Sequence, residues 1–424
     1  MYRLMRGEYS IMAIQLQERQ KTGLHNTSEI GRLRKVLLHR PGRELENLTP
    51  DNLERLLFDD IPYLPAAQAE HDAFAGCLRD RGVEVVYLRD LVEETIRDPE
   101  VRAELIEEFL DGAEVHHHRL RQILREFFSE MDDASLVDTM IAGVRKSDIR
   151  GFETGKLSDY LSFRGDSHPF LIDPMPNLYF TRDPFAVIGS GVSLHRMHAP
   201  GRRRESIFGK FIFQNHPLYR NAPKWYDGGS ALEGGDILVL SPEVIAVGIS
   251  QRSRKDSVEA FARTVLSISP SFRRILAFDI PKARSFMHLD TVFTMVDYDK
   301  FLVHPNILQN LEVFSLEMEE GCVRVRQERG PLEDILQRRL HLDRVTLIPC
   351  GSGSPVDAAR EQWSDGSNTL AIAPGEVVAY ARNDLTNRIL EDHGVLVHAL
   401  PCGELSRGRG GPHCMSMPFI RDEL

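Results

Sequence analysis

The chain reads as an α/β protein built from copies of one strand–turn–strand unit, with a helical segment set into it. Three features point that way. The stretches GGDILVLSPEVIAVG (234–248), HLDTVFTMVDYDKFLVHP (288–305) and GSNTLAIAPGEVVAYAR (366–382) share one pattern: a polar Asp or Asn, an apolar strand, a turn and a second apolar strand. A helical stretch and a closing strand follow the first and third of them. From about 91 to 149 the pattern changes, and Ile96, Leu105, Phe109, Leu120, Ile123, Leu124 and Phe127 recur at roughly helical spacing with few β-rich runs. Self-similarity of this kind marks one supersecondary unit used repeatedly. Radial repetition closes such an architecture without long exposed edges.

Taken in order, residues 1–27 form an N-terminal extension, read as partly disordered, with no apolar run of signal-peptide type. The codons for Arg6-Gly7-Glu8 can carry a ribosome-binding-like stretch, which makes Met12 an alternative start. The main body begins over 28–90. It opens with a strand from Arg34 to His39 closed by the turn Arg40-Pro41-Gly42, then a helical stretch from Asn52 to Cys77 and a strand from Val83 to Leu88. A helical insertion covers 91–160, and the rest of the body runs over 161–424. RDPFAVIGSGVSLH (182–195) is a further copy of the unit, and 33–42 fits a fifth. The copies open on Asp183, Asp236, Asp290 and Asn368. Units set around an axis would bring these residues to one central site.

Bulk properties exclude several functions. The 424 residues are 42% hydrophobic and 27% charged, ordinary for a soluble globular protein. A net charge of −11 argues against nucleic acid as the partner. The five cysteines are odd in number and lack any C-x-x-C, which argues against a disulfide framework or zinc cluster and fits a reducing, cytoplasmic setting. No apolar run is long enough to span a bilayer.

The residues that carry chemistry lie in four segments. Cys414 sits in RGRGGPHCMSMP, where basic neighbours and Gly-rich backbone predict a thiolate nucleophile. In HLDTVFT (288–294), His288 and Asp290 are two apart on a predicted strand and share a face, an arrangement suited to acid–base work. Asp183 closes PNLYFTRD ahead of Pro184. Glu233 and Asp236 flank two glycines that let backbone approach a ligand. Each has a plainer reading: a satisfied core histidine, a carboxylate capping a turn, a Gly-rich turn. His116-His117-His118 reads as a solvated helix face. Arg202-Arg203-Arg204 is too short a basic run for nucleic acid, and 350–354 lacks the lysine of a phosphate loop. Carboxylates gathered near a thiol do not suit ester or amide hydrolysis, because an oxyanion must be stabilised there. They suit a cationic electrophile such as a guanidinium, whose N–H donors carboxylates match in bidentate fashion.

PNLYFTRDP, EGGD, HLDTVFT, the REQW-DG-N pattern (360–368) and RGRGG-HCM, in this order, resemble the arginine deiminase family of the pentein, or guanidino-group-modifying, superfamily. LRKVLLHRPG and LLFDD near the start are similar too, and the likeness runs from about Ser28 to the end. The resemblance implies a five-fold pseudosymmetric α/β propeller of ββαβ units with an inserted helical domain. It implies hydrolysis of free L-arginine to L-citrulline and ammonia without metal or cofactor, in arginine catabolism. By the same likeness Cys414 is the nucleophile and His288 the general acid and base. Glu233 orients His288, and Asp183 and Asp290 grip the guanidinium. Asn177, Arg202, Arg252 and Arg409 receive the amino and carboxylate end, and Phe180 lines the aliphatic stem. A homodimer or larger assembly is expected on the same ground. Pro412, just before His413, departs from a loop expected to be Gly-rich, and the extension before about Thr22 has no counterpart. The rival readings are an amidinotransferase, an agmatine deiminase or a dimethylarginine hydrolase, a non-catalytic arginine-binding protein, and a thiol protease or acyltransferase. Agmatine would leave three arginines without a carboxylate to bind, and a mere sensor need not keep the thiol.

Overall fold

A computed structural model describes residues 22–149, 169–308 and 311–424. Among the described residues one strand order occurs five times: a central strand, an antiparallel partner on one side and a parallel partner on the other. In the first unit Leu33–Leu38 is central, between Met417–Arg421 and the parallel Glu84–Tyr87. The second pairs Gly191–Leu194 with Phe185–Ile188 and Lys224–Asp227. The third pairs Val244–Ile249 with Ile237–Val239 and Arg274–Asp279. Lys300–Val303 stands between Phe293–Met295 and Thr346–Pro349 in the fourth, and Glu376–Tyr380 between Leu370–Ala373 and Leu396–Leu400 in the fifth.

The reason for this order is local. A short turn joins the antiparallel pair, whereas the parallel partner needs a crossover. Helices supply it: Leu64–Arg79, Glu205–Asn215, Lys255–Ile268, Leu332–Leu340 and Asp384–Asp392. The central strands are apolar runs, nearly all buried, as expected of strands covered on both faces. The further copy suspected at 33–42 is therefore present as the first unit, but it is closed by the C-terminal strand. The third and fourth units depart from the pattern. A hairpin, Glu312–Glu319 and Cys322–Gln327, pairs with Arg274–Asp279 and widens that sheet to five strands. No sheet among the described residues closes on itself.

The helical segment comprises Leu88–Thr95, Pro99–Gly112, His118–Ser129 and Asp133–Ala142. Asp98, His117 and Asp132 cap the last three by accepting backbone N–H groups. The helical reading to Ile149 overshoots. Gly143, at φ 80°, ends the last helix, and Val144–Arg145 pairs with Phe170–Ile172. The segment does not keep a core to itself: Leu105, Phe109, Leu124 and Phe128 share one hydrophobic cluster with Phe185, Phe208 and Phe211. His116, His117 and His118 are exposed, as expected.

Residues 22–27, placed in the extension by sequence, pack into the body. The Asn26 N–H donates to the Gly189 carbonyl at 2.9 Å, and its side chain to that of Val187 at 2.9 Å. Met12 lies outside the described residues. All five cysteines are free. No described helix is long and apolar enough to cross a membrane.

Candidate active site

Asp183, Asp236, Asp290 and Asn368 each stand just ahead of the first strand of their unit. In the first unit that strand is Met417–Arg421, and Cys414 stands in the turn three residues ahead of it, as Asp290 does ahead of Phe293. The cysteine thus takes, in one copy, the place that polar residues take in the other four. Their contacts interlock. The Asn368 side-chain oxygen accepts the N–H groups of Cys414 and Gly411, both at 3.0 Å, and its amide donates to the Asp290 carbonyl at 3.1 Å. Asp236 accepts the Leu289 N–H at 2.8 Å and the Ser250 hydroxyl at 2.6 Å, fixing the backbone beside His288. Burial pushes the Asp236 carboxyl up to about 6.

His288 and Asp290 are not on a strand, contrary to the sequence reading. His288 is extended and leads into a 3-10 turn, Leu289–Thr291, before the strand Phe293–Met295 begins. The two side chains therefore serve different partners. His288 Nε2 is 2.7 Å from Glu233 Oε2, and its Nδ1 is 3.8 Å from Asp183 Oδ1. Gly235 gives Nδ1 its room, since a Cβ there would sit 2.7 Å from it. Burial works against the imidazolium, but Asp183, Glu233 and Asp236 outweigh it and raise His288 to about 9. Glu233 is held well below the usual carboxylate range: burial opposes this, and Arg252 and His288 overcome it.

Asp290 Oδ2 lies 3.4 Å from Cys414 Sγ and 2.8 Å from His413 Nδ1. His413 Nε2 in turn meets Glu29 Oε2 at 3.0 Å. Burial opposes ionisation of Asp290, yet His413 and the nearby cations lower it. The resting Cys414 corrects the sequence reading. It is buried at 4% exposure, and burial together with Asp290, Asp183 and Asp365 pushes its thiol well above the ordinary value. The basic residues beside it in sequence do not face it in a way that offsets these carboxylates. These surroundings favour the thiol over the thiolate.

The remaining residues sort by what their polar atoms already touch. Asn177 donates to the Leu56 carbonyl at 2.6 Å. Phe180 packs on Tyr179 with ring centroids 4.1 Å apart, and a Cβ at Gly410 would collide with its ring. Arg202 is engaged on all three nitrogens: Nη1 donates to Asp183 at 2.8 Å, Nη2 to Glu205 at 2.8 Å, and Nε to Glu205 at 3.0 Å. Two arginines of the Arg202-Arg203-Arg204 run are buried, so it is no surface patch. Arg252 Nη1 is 3.6 Å from Glu233 and makes no hydrogen bond. The Arg409 guanidinium carbon stands over the Trp363 ring, 3.5 Å from its centre.

Asp183 Oδ1 and Asp290 Oδ1 are buried without a hydrogen-bond partner. Two open carboxylate oxygens beside one thiol match a planar cation with several N–H donors. Asp183, Glu233 and His288 also bring ligand atoms within 4.8 Å of one another, a spacing a metal ion could use. Arg202, hydrogen-bonded to Asp183 and 4.0 Å from Glu233, and the charge on His288 oppose a metal ion held between these three groups. Sequence reasoning missed Glu29, His413, Glu205 and Trp363 as parts of the site. Only His413, beside Cys414, and Trp363, within the 360–368 pattern, carried a signal.

The solved structures most like this chain include an amidinotransferase from Microseira wollei, at 13% identity and TM-score 0.51 over 95% of this chain and 98% of that one. Another is the N-terminal domain of a cyanobacterial arginine dihydrolase, at 12% identity and TM-score 0.51 over 91% of this chain and 97% of that one. At such identities they support a shared mixed α/β fold. The sequence comparisons go further. The arginine deiminase family model matches residues 54–421. Arginine deiminase of Clostridium perfringens is 54% identical over 417 residues, covering 96% of this chain and 100% of its own. That of Streptococcus gordonii is 51% identical over 407 residues, covering 95% and 99%. With a matched model over most of its length and full-length relatives at half identity, the chain belongs to the arginine deiminase family, hydrolases that convert arginine to citrulline at the guanidino C–N bond.

Proposed function

We propose that Cys414 attacks the guanidinium carbon of free L-arginine and that His288 handles the protons. The observation that carries this is the buried pair of open carboxylate oxygens, on Asp183 and Asp290, with the Cys414 thiol 3.4 Å from the second carboxylate. A bound guanidinium supplies the positive charge this site lacks, which lowers the thiol and frees the thiolate. The thiolate adds to the carbon. His288 Nε2 is committed to Glu233, so Nδ1 is the nitrogen that gives a proton to the departing amino group, and ammonia leaves. This leaves an S-alkylthiouronium on Cys414. The now neutral His288 takes a proton from water, which adds to the same carbon. Collapse expels the thiolate, the hydroxyl proton returns the sulfur to its thiol form, and citrulline is released.

Glu233 keeps His288 charged and oriented. Arg252 and Arg409 receive the substrate carboxylate, and Phe180 and Asn177 line the route to it. Arg202 would join them only by yielding part of its hold on Glu205. The five like units support closure around this site as a five-fold propeller, with 91–160 as an insertion into a body formed by 28–90 and 161–424. The free cysteines fit a cytoplasmic setting, and the family likeness supports a homodimer or larger assembly in arginine catabolism. The test is direct: purified protein with L-arginine should release citrulline and ammonia in equal amounts. Cys414→Ser should lower turnover at least about a thousandfold, as loss of a nucleophile does. A Cys414→Ser enzyme with full turnover would overturn the assignment.

A further inference from the structure

Arg409 differs from every other arginine at the site in how its charge is held. It is buried at 5% exposure, yet its Nε and Nη1 make no hydrogen bond. The nearest paired carboxylate, Asp59, stands 3.7 Å from Nη1, beyond hydrogen-bond reach. Its guanidinium instead stands over the face of Trp363, a residue that is itself 51% exposed. The backbone is fixed as well. Arg409 adopts φ 65° after the turn Leu405–Gly408, and the flanking Gly408 and Gly410 press against Tyr179 and Phe180 too closely to admit a Cβ.

Buried donors left unmade are costly, so something else must hold this group in place. A carboxylate would hold it through the same N–H edges that a ligand needs. An aromatic face holds a guanidinium by cation–π attraction perpendicular to its plane and leaves the edges free. We infer that Trp363 is a positioning residue whose ring presents Arg409, edge-on and uncommitted, to the carboxylate of the substrate. This rests on the reading of Arg409 as a carboxylate receiver.

The experiment is steady-state turnover of L-arginine by Trp363→Leu and Trp363→Phe, alone and in an Arg409→Lys background. Trp363→Leu should raise KM about tenfold, the scale of a desolvated cation–π contact, with kcat within about twofold. Trp363→Phe should recover most of the loss, and it keeps the test usable if the Leu variant folds poorly. Inhibition by agmatine, which lacks the carboxylate, should not change. In the Arg409→Lys background Trp363→Leu should add less than about twofold, because partners in one interaction are not additive. An unchanged KM, a loss confined to kcat, or equal losses in both backgrounds would overturn the role of Trp363 while leaving the reaction intact. A wild-type protein that makes no citrulline would overturn the reaction and this inference together.

Discussion

The two sides of the site are built on opposite principles. On one side Asp183, Arg202, Glu205, Glu233, Arg252 and His288 form a buried, cross-linked set in which Arg202 spends every nitrogen on two carboxylates. On the other, Cys414 is held as a thiol beside Asp290, and Arg409 rests on Trp363 with open donors. The first side is largely satisfied within itself, with only Asp183 Oδ1 and Arg252 Nη1 of these groups left open. The second is short of one cation near the sulfur and one anion near Arg409. Free arginine carries both charges in one molecule. The difference teaches that the fold stores orientation on one side and unmet electrostatic demand on the other.

Arg202→Leu against Arg409→Leu tests this most severely. The first strands two buried carboxylates and should cost about 3–5 kcal/mol of stability. The second should leave the melting temperature nearly unchanged and raise KM instead. Comparable melting losses in the two variants, measured by calorimetry, would erase the contrast. Glu233→Gln probes the first side more finely. His288, raised from 6.5 to about 9, gives stability that is complete below its ordinary value and is lost as pH rises through about 9. The same proton is needed for ammonia to leave, so kcat/KM should fall above about pH 9. In Glu233→Gln that falling limb should move toward neutral pH, with at least about a tenfold loss at pH 8, because each pH unit past a pKa is a factor of ten in the protonated form. A limb that stays in place would remove Glu233 from this role.

Much of this was legible in the chain because the unit repeats over short distances. Asp183, Asp236, Asp290 and Asn368 open visible copies, and their convergence follows from the repetition. The place of Cys414 in the first unit was hidden, because its strand Met417–Arg421 pairs with Leu33–Leu38 at the far end of the chain. The same distance hid the partners of His413, which are 123 and 384 residues away in sequence. The thiolate reading failed for a related reason. It weighed Arg407 and Arg409 as neighbours along the backbone, while Arg407 pairs with Asp60 and Glu404, Arg409 turns to Trp363, and carboxylates from other units surround the sulfur.

The smallest expected effect bears on that thiol. Asp290→Asn removes one negative charge 3.4 Å from the sulfur and should lower the Cys414 pKa. Turnover should fall, since half of the guanidinium grip is gone. Alkylation by iodoacetamide should move the other way. Each unit taken off the pKa raises the thiolate fraction about tenfold, while the lower basicity gives back roughly half of that on a logarithmic scale. The net gain is about threefold per unit, read at fixed pH on the peptide that carries Cys414, so that exposed Cys322 does not contribute. A variant that loses turnover and gains alkylation would separate the two demands Asp290 places on the sulfur: it holds the thiol neutral when the site is empty, and it draws in the cation that ionises it. If both rates fell together, carboxylate charge would not be what keeps Cys414 protonated, and the unmet demand on that side of the site would have to come from burial alone.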